Sequence, residues 1–108
     1  MTIEAAQDIF DELTRAGEEE LKLAVFASAI RYAQLRVEWA QSAPEQRREM
    51  DATRTRAHNA FIDACNILSR AQSRSGGISK WRTPLGHDRK NLGDFACFIH
   101  LFLALSAR

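Results

Sequence analysis

The chain has 108 residues, which suffice for one domain and are too few for two ordinary ones. Hydrophobic residues make up 45% of it and charged residues 27%, with five glycines and two prolines, so the composition excludes a disordered or collagen-like chain. Fifteen basic side chains oppose fourteen acidic ones, and the net charge of +1 excludes the overall positive field that drives non-specific binding to nucleic acids.

The first two predicted elements are helices. Apolar side chains recur at spacings of three and four over residues 2–16, and Gly17 is placed to end this first helix. A second helix is predicted over residues 18–41, because three glutamates open it at the positive end of its dipole. It carries two apolar stripes, more than about 120° apart, and therefore needs two sets of neighbours. One stripe contains Leu23, Phe26, Ala29, Ile30, Ala33 and Val37, and the other contains Leu21, Val25, Tyr32, Leu35 and Trp39.

A third helix is predicted to start at a capping-box pattern, with Ser42 as the N-cap and Glu45 at the third helical position, and to run to about residue 72. Asn59 and Asn66 on its polar side are weak helix formers, which indicates side-chain hydrogen bonds to another element. The residues expected to face inward are Met50, Ala57, Phe61, Ala64, Cys65 and Leu68.

A long flexible loop is predicted over residues 73–88, because its glycines and the Thr83-Pro84 pair interrupt all periodicity. A last helix over residues 89–106 is expected to bury one face, with Asp88 or Asn91 as its N-cap. The residues on that face are Phe95, Phe98, Ile99, Phe102 and Leu105. The sequence thus predicts an all-α single domain over residues 1–108, a bundle-like fold of three successive antiparallel helices and a C-terminal core helix.

Targeting and metal chemistry are constrained by a few residues. Cys65 and Cys97 lie in apolar segments, where thiols behave as small buried hydrophobes. The acidic N-terminus is unlike a secretion signal, and the most apolar stretch, residues 95–105, is far shorter than the roughly 20 residues of a membrane span. His58 and Cys65 would stand about 10 Å apart along one helix, too far to share a metal. We therefore predict a cytoplasmic protein with no membrane partner, no metal and no cofactor.

A polar cluster is predicted on the margin of the third helix, where Asp51, Arg54 and His58 lie within about 60° of one another. A carboxylate, a guanidinium and an imidazole on one edge can bind an anion or small molecule, or shuttle a proton near neutral pH. The alternative is an internal network of ion pairs and hydrogen bonds that ties this helix to its neighbour.

A basic segment follows, since residues 69–90 carry a local charge of +5. Its candidate ligands for a phosphate or a base are Arg74, Lys80, Trp81 and Arg82. The first twenty residues carry a charge of −6, so the two regions can also neutralise each other within one molecule or between two.

The spacing Arg82-x4-His87 resembles the motif of HEPN ribonucleases, which are all-helical and often dimeric. The resemblance covers six residues of the 108. It implies that Arg82 would stabilise the charged phosphorane, that His87 would transfer a proton, and that two copies would meet across a dimer. An RNA-binding or ribonuclease module is accordingly the alternative function.

The preferred prediction is a non-catalytic helical protein that acts through a homodimer or another protein partner. Tyr32, Leu35 and Trp39 exceed what one thin layer of helices must cover, and aromatic residues are common at interfaces. Symmetric pairs are the commonest soluble assemblies. The competing interpretation is a monomer whose own helices cover both apolar stripes.

Overall fold

The computed structural model describes residues 1–73 and 76–107, and in these ranges it contains helices and no strand. The elements are α1 (Ile3–Arg15), α2 (Glu19–Ala40), α3 (Pro44–Gln72), a single 3-10 turn (Thr83–Leu85) and α4 (Arg89–Ser106). The predicted all-α, bundle-like fold is confirmed. Its local cause is the spacing of apolar residues, since buried side chains recur at three and four positions along α1 and α3.

The central helix is α2, which packs on α3 along one side and on α4 along the other. On the α3 side, the ring of Tyr32 lies 6.3 Å from that of Phe61. On the α4 side, Arg36 donates a hydrogen bond to Asp94 at 3.0 Å. The prediction that α2 is one continuous helix with neighbours on two sides is therefore confirmed.

The position of α1 differs from the expectation that it lies along α2. It packs chiefly against α4, because the ring of Phe10 inserts among aromatic side chains there. The Phe10 ring centroid lies 4.7 Å from that of Phe102 and 5.9 Å from those of Phe98 and Phe26. The ring of Phe10 thus contacts both α4 and α2.

The connection between α2 and α3 corrects the predicted capping box. Ala43 is the N-cap of α3, and its backbone N–H donates to the side chain of Gln46 at 3.1 Å. The Ser42 hydroxyl instead donates to the carbonyl of Glu38 at 2.7 Å, which closes the last turn of α2. Glu45 therefore lies one position too early to complete a capping box.

The connection between α1 and α2 spans residues 16–18 and differs from the prediction, in which Gly17 alone separates the two helices. Glu18, and not Gly17, adopts the left-handed backbone conformation, with φ at 71°. The buried Lys22 closes the end of α1 by donating from its ammonium group to the carbonyl of Thr14 at 2.9 Å. A lysine side chain on α2 thus helps to end α1, a role that was predicted for Gly17 alone.

The segment between α3 and α4 packs back on α3. The Ser79 backbone N–H donates to the Ser69 hydroxyl at 2.7 Å, and the Ser79 hydroxyl donates to the Ser69 carbonyl at 2.9 Å. Trp81 is 3% exposed and donates its indole N–H to the side chain of Gln72 at 2.8 Å, while Leu85 is fully buried. The second half of the predicted flexible loop therefore contributes to the core.

Candidate functional site

The residues predicted as an interface stripe pack inside the chain. Tyr32 and Leu35 are buried between α2 and its neighbours, so a partner would reach only Trp39. Two guanidinium groups pack against the Trp39 ring, since the central carbons of Arg47 and Arg54 each lie 4.3 Å from its centroid. The chain's own helices thus cover most of the stripe from which the homodimer was predicted.

The polar cluster is only partly assembled. The Arg54 guanidinium lies 3.8 Å from the exposed carboxylate of Asp51. His58 makes neither an ion pair nor a hydrogen bond with either residue in the described part of the chain. Its buried ring packs edge to face with that of Tyr32, with the two ring centroids 5.4 Å apart. The His58 Nδ1 atom lies 3.3 Å from the side-chain oxygen of Asn59. Packing contacts, rather than ion pairs, hold His58.

Three buried polar atoms in this region have no hydrogen-bond partner among the described residues, namely Trp39 Nε1, Arg54 Nε and His58 Nε2. A further guanidinium approaches from α4, where Arg89 donates to the Thr55 hydroxyl at 3.4 Å. Burial lowers the pKa of His58 below its ordinary value of 6.5, the hydrogen bond with Asn59 opposes this shift, and the nearby positive charges of Arg89 and Arg54 add to it. The net effect favours the neutral form of the imidazole.

Stability is expected to fall as the pH drops below about 6.5, because protonating His58 is easier in the unfolded chain than in the folded one. The stabilisation is complete above the unfolded pKa and is lost as the pH falls toward the lower folded pKa. Each unit of difference contributes about 1.4 kcal/mol. Urea unfolding at about pH 7.5 and about pH 5.5 measures the effect. His58→Gln should flatten this dependence, whereas His87→Gln, which removes an exposed imidazole, should retain it.

The basic segment does not form one exposed surface. Lys80 is exposed, Trp81 is buried, and Arg74 lies outside the described residues. Arg82 is 4% exposed and donates from Nε to the Asn66 side chain at 2.7 Å. The hydrogen bond that Asn66 was predicted to make with another element is thus confirmed. A base could stack on the ring of Trp81 only if this segment left α3.

Arg82 and His87, the pair with HEPN-like spacing, line the same pocket of about 320 Å³. They differ in their surroundings. Arg82 is fixed by Asn66 and by the Gly86 carbonyl, to which its Nη1 donates at 2.8 Å, whereas His87 is exposed. The pocket also includes Arg70 from α3. The structure therefore brings the two predicted residues to one concave surface.

Sequence reasoning missed the outer side of α4. Leu105 was expected to face the core but is 64% exposed, and Leu101 is 62% exposed. The available signal was composition, because residues 95–107 contain no Asp, Glu, Lys or Arg. A helix on the surface of a globular protein ordinarily shows a charged or polar side.

In comparisons with known proteins, no family model, no curated protein and no solved structure matches this chain. Across residues 1–73 and 76–107, no helix has the length and apolarity needed to cross a membrane. The same residues bring together no group of three or more histidine, cysteine, aspartate or glutamate side chains suited to a metal ion.

Proposed function

We propose that the protein acts through self-association, as a homodimer whose copies pack through the outer side of α4. The observation that carries this proposal is the uncharged stretch of residues 95–107, which lies on a helix with one side open to solvent. A helix that is apolar all round is typical of a buried position. The proposed role requires no catalytic step.

Five apolar residues line two neighbouring grooves beside α4 and form one surface, here called the α4 face and defined by Ile3, Val37, Cys97, Leu101 and Leu105. A groove of about 500 Å³ separates α4 from the C-terminal half of α2, and another of about 470 Å³ separates it from the start of α1. Cys97 and Leu101 line both grooves. Single exposed apolar residues are normal on a protein surface, but a connected set of this kind is typical of an interaction site.

A second copy of the chain suits this surface. The α4 face presents a ridge with a groove on each side, so the ridge of one copy can pack into a groove of the other. Asp94 lines one groove, but its carboxylate is paired with Arg36 at 3.0 Å. The exposed Glu38 lines the other groove, but residues 95–107 of α4 carry no Asp, Glu, Lys or Arg, so a twofold axis near Leu101 sets no such charges of the two α4 helices against each other.

The double substitution Leu101→Lys and Leu105→Lys is expected to convert the dimer to a monomer. Burying lysine ammonium groups without partners is strongly unfavourable, so dimer affinity should fall by at least about 100-fold. Light scattering after size exclusion, at tens of micromolar protein, distinguishes a mass of 12.2 kDa from twice that value. Circular dichroism checks that the variant keeps its helices.

Ile67→Lys is the matched control, because Ile67 is 52% exposed on α3 and lines neither groove. This variant should remain dimeric. A monomeric wild-type chain under the same conditions would contradict the proposal, and so would equal dissociation of the Ile67→Lys variant.

The proposal places the protein in the cytoplasm, supported by the two unpaired cysteines, one buried and one partly exposed. If a different protein instead occupies the α4 face, the mass measurement will show a monomer rather than a homodimer. The alternative of an RNA-binding or ribonuclease module has one observation in its favour, the shared pocket of Arg82 and His87.

A further inference from the structure

Arg82 is a buried arginine without an acidic partner. Its residue is 4% exposed, and none of the ion pairs in the described part of the chain includes it. Arginine is almost never fully buried in a protein unless its charge is paired. The fold therefore holds a positive charge at this position that the described residues do not neutralise.

The hydrogen bonds of Arg82 leave one side of its guanidinium open. Nε and Nη1 donate to Asn66 and Gly86, both of which are neutral acceptors. Nη2 has no acceptor among the described residues and does not belong to the polar atoms that are sealed from solvent without a partner. The plane of the guanidinium is thus fixed from two sides, while its remaining nitrogen is accessible.

The pocket of about 320 Å³ that Arg82 lines has a strongly basic wall. Arg70 and His87 are exposed residues of this wall, and Thr83 adds a hydroxyl group. None of the lining residues is acidic. The nearby acid Asp88 is engaged elsewhere, because its side chain accepts from the backbone N–H of Lys90 at 2.9 Å as the N-cap of α4.

We propose that this pocket binds the phosphate group of a small phosphate monoester. Arg82 Nη2 would donate to one phosphate oxygen, Arg70 would add a second positive charge, and the His87 ring and the Thr83 hydroxyl would add hydrogen-bonding groups. A guanidinium held in place by neutral acceptors is well suited to an oxyanion, since no internal carboxylate has to be displaced before the ligand binds. The pocket volume is at the lower end for small-molecule sites, which favours a compact ligand.

This inference is independent of self-association, because the pocket lies between α3 and the 3-10 turn and shares no residue with the α4 face. The alternative is a purely structural role, in which Arg82 only links the 3-10 turn to α3 through its hydrogen bonds. In that case the natural chain would bind no phosphate. Binding of a ligand, rather than stability, is therefore the readout that separates the two interpretations.

The test is a titration of the full chain with inorganic phosphate and with adenosine monophosphate, followed by NMR at constant ionic strength set with chloride. We expect saturable shifts of the Arg82 Nε–H and Gly86 amide signals with both ligands. Arg82→Lys keeps the charge but lacks both the Nε–H and the planar fork, so in this variant the Gly86 amide is the reporter, and its saturable shift should be lost. Should that variant fail to fold, Arg70→Gln and His87→Gln, both at exposed positions, should each weaken binding by about fivefold to tenfold.

Lys80→Gln is the control, because Lys80 is an exposed base of the same segment that does not line the pocket. It should leave the affinity unchanged. Absence of saturable binding by the natural chain would overturn the proposal, as would equal weakening by Lys80→Gln. A single-stranded RNA that binds through Arg82 while adenosine monophosphate does not would overturn the monoester in favour of a polymer.

Discussion

Replacing Phe61 with alanine is expected to lower the free energy of unfolding by about 3 to 5 kcal/mol. Phe61 is fully buried on α3, and its ring lies 6.3 Å from that of Tyr32 on α2 and 6.4 Å from that of Phe95 on α4. Removing the ring leaves a cavity where three helices meet. Small domains are stable by about 5 to 15 kcal/mol, so this loss is a large part of the total. Urea unfolding followed by circular dichroism measures it.

Two further variants on α3 make this prediction specific. Phe61→Leu retains most of the apolar volume and should lose only about 1 to 1.5 kcal/mol. Ile67→Ala, at a position that is 52% exposed on the same helix, should change stability by no more than about 0.5 kcal/mol. If Phe61→Ala behaved like Ile67→Ala, the three helices would not meet at this ring.

The positions of the helices could be predicted because the signals that set them are local. The spacing of apolar residues in α3 marked Phe61, Cys65 and Leu68 as inward, and all three are fully buried. Pro44 and the polar residues around it marked the start of α3 within two positions. Such signals depend on neighbours three or four residues away, which the sequence displays directly.

The packing of α1 and α4 could not be predicted in the same way. Phe10 would fit any apolar surface, and only the three-dimensional arrangement selects the rings of Phe98 and Phe102. In α4 the apolar residues surround the helix, so periodicity assigned Leu105 to the same face as the buried Ile99, although Leu105 is 64% exposed. Composition can indicate that such a helix needs a partner, but it cannot tell which side the partner covers.

Only some features of the candidate pocket could be predicted from the sequence. The basic residues and the Arg82-x4-His87 spacing drew attention to the segment, and Asn66 indicated a hydrogen bond to another element. The burial of Arg82 was not predictable, because it depends on Asn66, sixteen positions earlier in the chain, and on the turn that presents the Gly86 carbonyl. A loop without periodicity carries no local signal for burial, so tertiary contacts decide which of its charges face solvent.

Replacing Trp81 with alanine is expected to lower the free energy of unfolding by about 3 to 5 kcal/mol and to loosen the segment that carries Arg82. Trp81 is 3% exposed, and its indole N–H donates to Gln72 at 2.8 Å. Urea unfolding measures the stability. Hydrogen exchange measures the local effect, because the amides of Arg82 and Leu85 donate to the carbonyls of Ser79 and Arg82 within this segment.

Two controls separate the packing of Trp81 from its hydrogen bond. Trp81→Phe keeps much of the buried ring but leaves Gln72 without the indole donor, so it should lose less stability than Trp81→Ala. Lys80→Ala, at the neighbouring exposed position, should change neither stability nor exchange. Unchanged protection of the Arg82 and Leu85 amides in Trp81→Ala would show that other contacts hold the segment. If Trp81 does hold it, the same variant should also weaken phosphate binding, because Arg82 Nη2 would no longer be fixed at the pocket.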